Sequence, residues 1–256
     1  MIGLIRHGNV AEIRLDRPEA HNALSTAMAV RLAEACREVA ADTGVRAVVL
    51  AASGEKAFCV GADLKERAGM SDEELMRQRP LFRAAFGAVL DLPQPVVAAV
   101  HGFALGGGME FALSCDLIVA DPSAVFGLPE VSVGLVPGGG GTQLALRRIG
   151  PAKAADLVLT GRRVPFEEAV ALGIVDRSAE PGKVLETALD LAATIAANSP
   201  VATRAAKRAL RAGASLDLGA ALDVEENAWR TAALSPDRRE GIAAFNEKRR
   251  PNWPGV

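Results

Sequence analysis

Residues 96–120 read VVAAVHGFALGGGMEFALSCDLIVA, and the fold follows from how that run is divided. From Leu92 to Met109 the single titratable group is His101, and the stretch approaches membrane-spanning length. Pro93, Pro95 and the glycines at 102, 106, 107 and 108 interrupt it. Backbone groups freed by such breaks would be unsatisfied in lipid, so the reading is a buried strand–loop–helix unit. The strand is Pro95 to Val100, the helix runs from Met109 to Cys115, and Asp116 to Ala120 is the next strand.

On the N-terminal side, His7-Gly8-Asn9 reads as a turn between two short strands. Ser25 is a helix N-cap, with Met28, Leu32, Cys36 and Val39 recurring at helical spacing until Asp42-Thr43-Gly44. Val45 to Ala51 reads as a buried strand, followed by a loop, SGEKAFCVGAD. Ser71-Asp72-Glu73-Glu74 opens a helix to about Leu90. On the C-terminal side, Ala124 to Phe126 is a short strand, and the glycine run Gly138 to Gly141 leads into another helix. Strand signals vanish beyond Gly182, where Ala-rich helical segments start at Ser199-Pro200, Ser215 and Ser235-Pro236. The expected class is α/β: a core over 1–195 carrying the site, then a helical C-terminal part over 196–256.

Bulk properties narrow the function. With 256 residues, half of them apolar, the chain can build one substantial core. A net charge of −2 gives no global field toward nucleic acid or an anionic membrane. The three cysteines, Cys36, Cys59 and Cys115, form no C-x-x-C pair; neither a disulfide framework nor a zinc knuckle is implied, and a cytoplasmic setting is the simplest expectation. Charges from Arg6 onward argue against a secretory signal.

Two glycine-rich segments follow strands: Phe58 to Asp63 (FCVGAD) and Gly106-Gly107-Gly108, which enters the helix at Met109. A helix N-terminus presents unpaired N–H groups and the positive dipole end. If the Gly107 N–H converges with one from the first loop, the pair makes an oxyanion hole. Glu110 lies three residues on, on about the same helix face. Two readings of it stand: a carboxylate projecting into the site, or a first-turn acid that serves its own helix. Glu130, after Pro129, reads in isolation as a solvated loop residue. Beside an oxyanion hole, the two carboxylates would instead form a general acid/base pair.

The order FCVGADLKE, then VVAAVHGFALGGGMEFALSCDLIVA, then FGLPEVSVGLVPGGGGTQ closely resembles the enoyl-CoA hydratase/isomerase (crotonase) superfamily. The likeness runs from the N-terminal strands, through RPEAHNALS at residue 17, to AFNEKRRPNW near the C-terminus, and so covers essentially the whole chain. It implies a spiral of ββα units followed by a helical trimerisation segment, as a homotrimer or dimer of trimers. It implies that the main-chain N–H groups of Val60 and Gly107 bind the thioester oxygen, and that Glu110 and Glu130 are the catalytic pair for adding water to a 2-enoyl-CoA. Ala23, Ala62, Asp63, Leu64, Gly106, Pro129 and Leu135 are implied to contact CoA or substrate, with Phe245 and Lys248 reaching the nucleotide from a neighbouring subunit. No metal or redox cofactor is implied; coenzyme A is part of the substrate. ADLKER followed by Ala-Gly-Met also resembles methylglutaconyl-CoA hydratases. Val60 stands where the family usually has alanine; its stiff side chain narrows the acyl pocket without altering the N–H.

An isomerase or a specialised dehydratase fits the same scaffold, although isomerases of the family commonly keep one carboxylate, at the Glu130 position. Some relatives of the ADLKER type are associated with RNA, through a lysine-bearing early helix; here residues 25–42 contain no lysine, which weighs against phosphate contacts. Gly102, Gly106 and Gly108 match a short-chain dehydrogenase spacing, but they lie mid-chain and the sequence has no tyrosine. No P-loop or serine-hydrolase elbow occurs. Asp63 reads as a loop tie or helix cap, and His101 as structural. Lys56 and Lys65 read as solvated.

Overall fold

The computed structural model describes residues 1–256. The chain begins with an antiparallel hairpin, β1 (Ile2–His7) and β2 (Val10–Leu15), turning at Gly8-Asn9. Helix α1 (Thr26–Ala41) is capped by Ser25, whose hydroxyl accepts from the Met28 N–H at 3.3 Å. Strands β3 (Ala47–Ala52) and β4 (Ala57–Cys59) lead to a short α2 (Leu64–Arg67) and a long α3 (Asp72–Leu90). Ser71 and Glu74 close a reciprocal capping box on α3. Next come β5 (Val96–Val100), β6 (Phe103–Leu105), α4 (Gly107–Ser114), β7 (Leu117–Ala120) and β8 (Val125–Gly127). A 3₁₀ turn over Pro129–Val133 precedes α5 (Gly141–Ile149), α6 (Pro151–Thr160), β9 (Arg163–Pro165), α7 (Phe166–Leu172) and β10 (Arg177–Ser178). The chain continues through α8 (Val184–Ala196), α9 (Pro200–Gly213), α10 (Leu218–Ala233) and α11 (Pro236–Asn246).

Two sheets result, ordered β1-β2-β3-β5-β7-β10 and β4-β6-β8-β9. From β3 to β8, successive strands alternate between them, so each turn of the spiral lays one strand in the large sheet and one in the small sheet. Apart from β1, the large sheet is parallel. Its central strands are buried on both faces, which explains their unbroken apolar runs. Val48, Leu50, Val96, Ala98 and Val100 face the main core with α1, α3 and α4. Val49, Ala51, Val97 and Ala99 face the other way, against Val184, Ala188, Leu191 and Ala192 of α8. The period of two is the strand geometry itself, and each buried valine or leucine contributes roughly 1.5–3 kcal/mol. Helices α9 and α10 pack mainly on each other.

Three differences from the sequence reading have simple causes. The helix expected from Met109 begins at Gly107, because Gly106 takes a positive φ of 52° and serves as its N-cap. The helix expected from Ser215 starts after Asp217, whose side chain accepts from the Ala220 N–H at 3.1 Å. β4, β6, β9 and β10 are two or three residues long, too short to express an alternation. No helix is long and apolar enough to cross a membrane.

Candidate active site

The site forms where the small sheet meets the N-terminus of α4. A Cβ built on Gly61 would lie 3.0 Å from the Gly107 nitrogen, so the loop after β4 and the first turn of α4 touch. At Gly108 the approach is closer still: a Cβ there would sit 1.9 Å from the Cys59 carbonyl oxygen. Val60 lies between these contacts, half-buried, and its N–H donates to no other group in the chain. Gly107 is the first helical residue, so its N–H has no partner within α4. Two unspent amide donors thus flank one junction. Phe86 of α3 stacks on Phe111 at 4.2 Å between ring centroids and closes the apolar side of this junction.

Glu110 is buried. Its Oε1 accepts from the amides of Gly139 at 2.6 Å and Gly141 at 2.8 Å, so the carboxylate spans to another segment and does not cap its own helix. Burial pushes its pKa up, while the amides of Gly141 and Gly139 and the Arg79 charge pull it back.

Glu130 enters from the 3₁₀ turn. The Gly106 N–H donates to Gly127 O at 2.8 Å, which fixes the cap of α4 to the end of β8 and brings Glu130 within reach. Its Oε1 lies 3.0 Å from where a Gly106 Cβ would stand, and the Gly106 backbone, at φ 52° and ψ −123°, favours glycine. Glu130 is half-buried, and its Oε2 is enclosed without a hydrogen-bond partner. Desolvation, and then the Glu110 charge, push its pKa up to about 7. The reading of Glu130 as a solvated loop residue is therefore corrected: the loop folds back onto α4 and takes the side chain out of water.

A third group surrounds the loop after β4. Leu24 N–H donates to Gly61 O at 2.7 Å and Asp63 N–H to Leu24 O at 3.0 Å, laying Ala23 and Leu24 beside Ala62. The Asp63 carboxylate accepts from the amides of Lys65 and Glu66, at the start of α2, and pairs with Arg17 at 2.6 Å. Arg17 holds the Asp63 pKa below the ordinary carboxylate range. The side chain is thus consumed by the loop and the short helix. Leu64 is exposed, as is Leu135, while Pro129 is half-buried. Phe245 and Lys248 lie at the end of α11; Phe245 is 84% exposed, and neither is hydrogen-bonded to the segments carrying the glutamates. His101 contributes its carbonyl to Phe58 N–H at 2.9 Å.

Some contributors were not legible in the sequence. The run Gly138 to Gly141 reads as a helix entry, yet it supplies both amides that hold Glu110. Asn22, fully buried, donates to Ser53 O and Ala57 O at 2.9 Å and accepts from Arg17 N. It thereby fixes β4 from the N-terminal side; its positive φ of 55° is compatible with the one signal available, an Asn after His21 in a turn-like stretch. No group of three His, Cys, Asp or Glu side chains is arranged to hold a metal ion.

The enoyl-CoA hydratase/isomerase family model matches residues 6–255. Bacillus subtilis YngF, whose name leaves hydratase and isomerase both open, is 43% identical over 252 residues, covering 98% of this chain and 97% of its own. The short-chain-enoyl-CoA hydratase of Clostridium acetobutylicum is 38% identical over 247 residues, covering 96% and 95%. The crystal structure of an enoyl-CoA hydratase from Bacillus anthracis matches with a TM-score of 0.97 at 40% identity, covering 100% of this chain and 99% of that one. With motifs, spiral and relatives in agreement over nearly every residue, this chain belongs to the enoyl-CoA hydratase/isomerase family.

Proposed function

We propose that the protein is a hydratase: it adds water across the 2,3 double bond of a 2-enoyl-CoA thioester to give the 3-hydroxyacyl-CoA. The observation that carries this reading is the unequal treatment of the two glutamates. Glu110 has amide donors that favour its charged form, whereas Glu130 has an enclosed oxygen without a partner and a pKa near 7. One is suited to be a base and the other a proton-carrying acid.

In this scheme a water lies between the carboxylates and above C3 of the acyl chain. Glu110 takes a proton from the water as its oxygen bonds to C3. The electrons of the double bond move toward the thioester carbonyl, and the enolate oxygen is held by the N–H groups of Val60 and Gly107. Glu130 delivers its proton to C2, and proton exchange with solvent resets both residues. The sequence is redox-neutral and needs only water and the thioester. Moving a double bond requires only one proton-shuttling carboxylate, so the second, amide-held glutamate favours hydration over isomerisation. Exposed Leu210, Leu222, Trp229 and Phe245 on α9–α11 support assembly into a trimer or dimer of trimers, in which a neighbour would bring Phe245 and Lys248 to the nucleotide.

The test compares crotonyl-CoA hydration with 3-enoyl-CoA isomerisation by the wild type, Glu110→Gln and Glu130→Gln. Hydration should fall by orders of magnitude in both variants while CoA-ester binding persists, since the oxyanion donors are main-chain. A wild type that isomerises but does not hydrate refutes the proposal.

A further inference from the structure

Glu110 takes both of its amide partners from the run Gly138 to Gly141, and four glycines in succession have no side chains with which to anchor themselves. Gly138 and Gly139 also make no main-chain hydrogen bond to the rest of the chain. Their place is set from α3. Arg79 and Phe86 stand two turns apart on that helix and share a face. The Arg79 guanidinium donates to Gly138 O at 2.6 Å and lies 3.0 Å from where a Gly138 Cβ would stand. Three ring carbons of Phe86, Cγ, Cδ1 and Cε1, are each 2.6 Å from where a Gly139 Cβ would stand. The ring thus fills the space that a side chain at 139 would need.

The ring is itself fixed. Phe86 is buried, and it stacks on Phe111, the residue after Glu110 on α4, at 4.2 Å between centroids with the planes 26° apart. One aromatic side chain therefore separates the helix that carries the carboxylate from the loop that supplies its donors, and its bulk sets their spacing. The Phe86 tip, Cζ, also comes 3.1 Å from where a Gly107 Cβ would stand. Gly107 has further restraints of its own: the Gly106 N–H donates to Gly127 O at 2.8 Å, and Gly108 lies against the Cys59 carbonyl. The glycine run has no such second hold. Removing Phe86 or Arg79 thus frees the donors of Glu110 while the oxyanion donor stays in place.

We propose that Phe86 and Arg79 are positioning residues for the general base: from α3 they hold the glycine run against Glu110 and thereby fix where the attacking water lies. The inference rests on the hydratase reading and deepens it. It separates two halves of the chemistry. Attack of water at C3 depends on Glu110 and so on the two α3 side chains. Proton transfer at C2 depends on Glu130 and the amides of Val60 and Gly107, and does not.

The experiment follows two reactions of each variant: hydration of crotonyl-CoA, and exchange of the C2 protons of butyryl-CoA for deuterium in D2O, read by NMR. In the exchange Glu130 removes a C2 proton, the two amides hold the enolate oxygen, and a deuteron returns to the carbon; no water is added. Phe86→Leu should lower kcat for hydration by about 10- to 100-fold, the cost of misplacing a catalytic group by about 1 Å, with a smaller change in KM and with exchange near the wild-type rate. Arg79→Met, at an exposed position, should show the same split with a smaller fall, and Arg79→Lys should recover part of it by restoring a donor to Gly138 O. In the Glu110→Gln background, Phe86→Leu should cost almost nothing further, because a residue that acts through another is not additive with it. Near-normal hydration in both single variants overturns the proposal, as does a parallel fall in hydration and exchange, or losses that add in the double variant. Should Phe86→Leu fail to fold, the Arg79 variants decide by the same split. Failure of the wild type to hydrate crotonyl-CoA would instead overturn the hydratase reading.

Discussion

Replacing Gly108 with alanine adds one methyl group and should disable the site. That methyl carbon would stand 1.9 Å from the Cys59 carbonyl oxygen and 2.6 Å from its carbon. Non-bonded carbon and oxygen come to rest at roughly 3.3 Å, so the start of α4 and the end of β4 must part by about 1.4 Å. Neither side yields easily, because Cys59, Met109 and Phe111 are fully buried. Cys59 adjoins Val60 and Gly108 adjoins Gly107, so the separation acts directly on the two proposed donors. A hydrogen bond of about 2.9 Å stretched by more than 1 Å ceases to be one. Losing one oxyanion donor costs about 100- to 1,000-fold, or roughly 2.7–4 kcal/mol of barrier. The expected result is a fall of that size in kcat for crotonyl-CoA hydration, followed as loss of enoyl-thioester absorbance. KM should change much less, because the loop around Asp63 is anchored independently by Arg17. Circular dichroism and a thermal melt check folding. Gly69→Ala, where a Cβ meets nothing within 4 Å, is the matched control and should keep normal turnover. A folded Gly108→Ala protein with kcat within threefold of wild type would refute the convergence of the two amides.

The pKa of Glu130 near 7 sets a pH limb: kcat/KM for hydration should decline as pH rises through about 7 and the acid loses its proton, and kcat/KM for dehydration should follow the same limb, because the reaction takes up no net proton. Loss of that limb in Glu130→Gln checks the assignment; a wild-type profile flat between pH 6 and 8 would undo it. The same group affects stability. Its folded pKa lies above the ordinary 4.5, so the folded state holds the proton more tightly and loses stability as pH climbs from about 4.5 through 7. Glu130→Gln should therefore melt higher than wild type at pH 8 and nearly equal to it at pH 4, measured by calorimetry. Asp63→Ala removes both the cap of α2 and the Arg17 partner, at about 1–2 kcal/mol in denaturant unfolding, and should raise KM for CoA esters. Asp63→Asn keeps the cap and should recover part of the stability.

Much of the fold was legible because its causes are local. The capping box at Ser71 and Glu74, the Ser25 cap and the apolar runs of β3, β5 and β7 each announce an element within a few residues. Of the small sheet only β8 was legible; β4 and β6 escaped, since Ala57–Cys59 and Phe103–Leu105 are strands through pairing with each other, and the latter with β8 as well. For the same reason the glycine run could be read as a helix entry but not as the holder of Glu110, 29 residues away.

The sequence by itself determined an α/β chain with glycine-opened helix N-termini and two glutamates on or beside them, because caps, periodicity and glycine act over a single turn or strand. Only the tertiary structure set the two glutamates apart: Glu110 lies against the amides of the glycine run, while desolvation raises the Glu130 pKa to about 7. Burial and Coulomb energy sum over groups far apart in the chain: the same side chain that would titrate as an ordinary surface acid on a loose loop is, once folded against Gly106 and near Glu110, partly desolvated, and its pKa is raised to about 7.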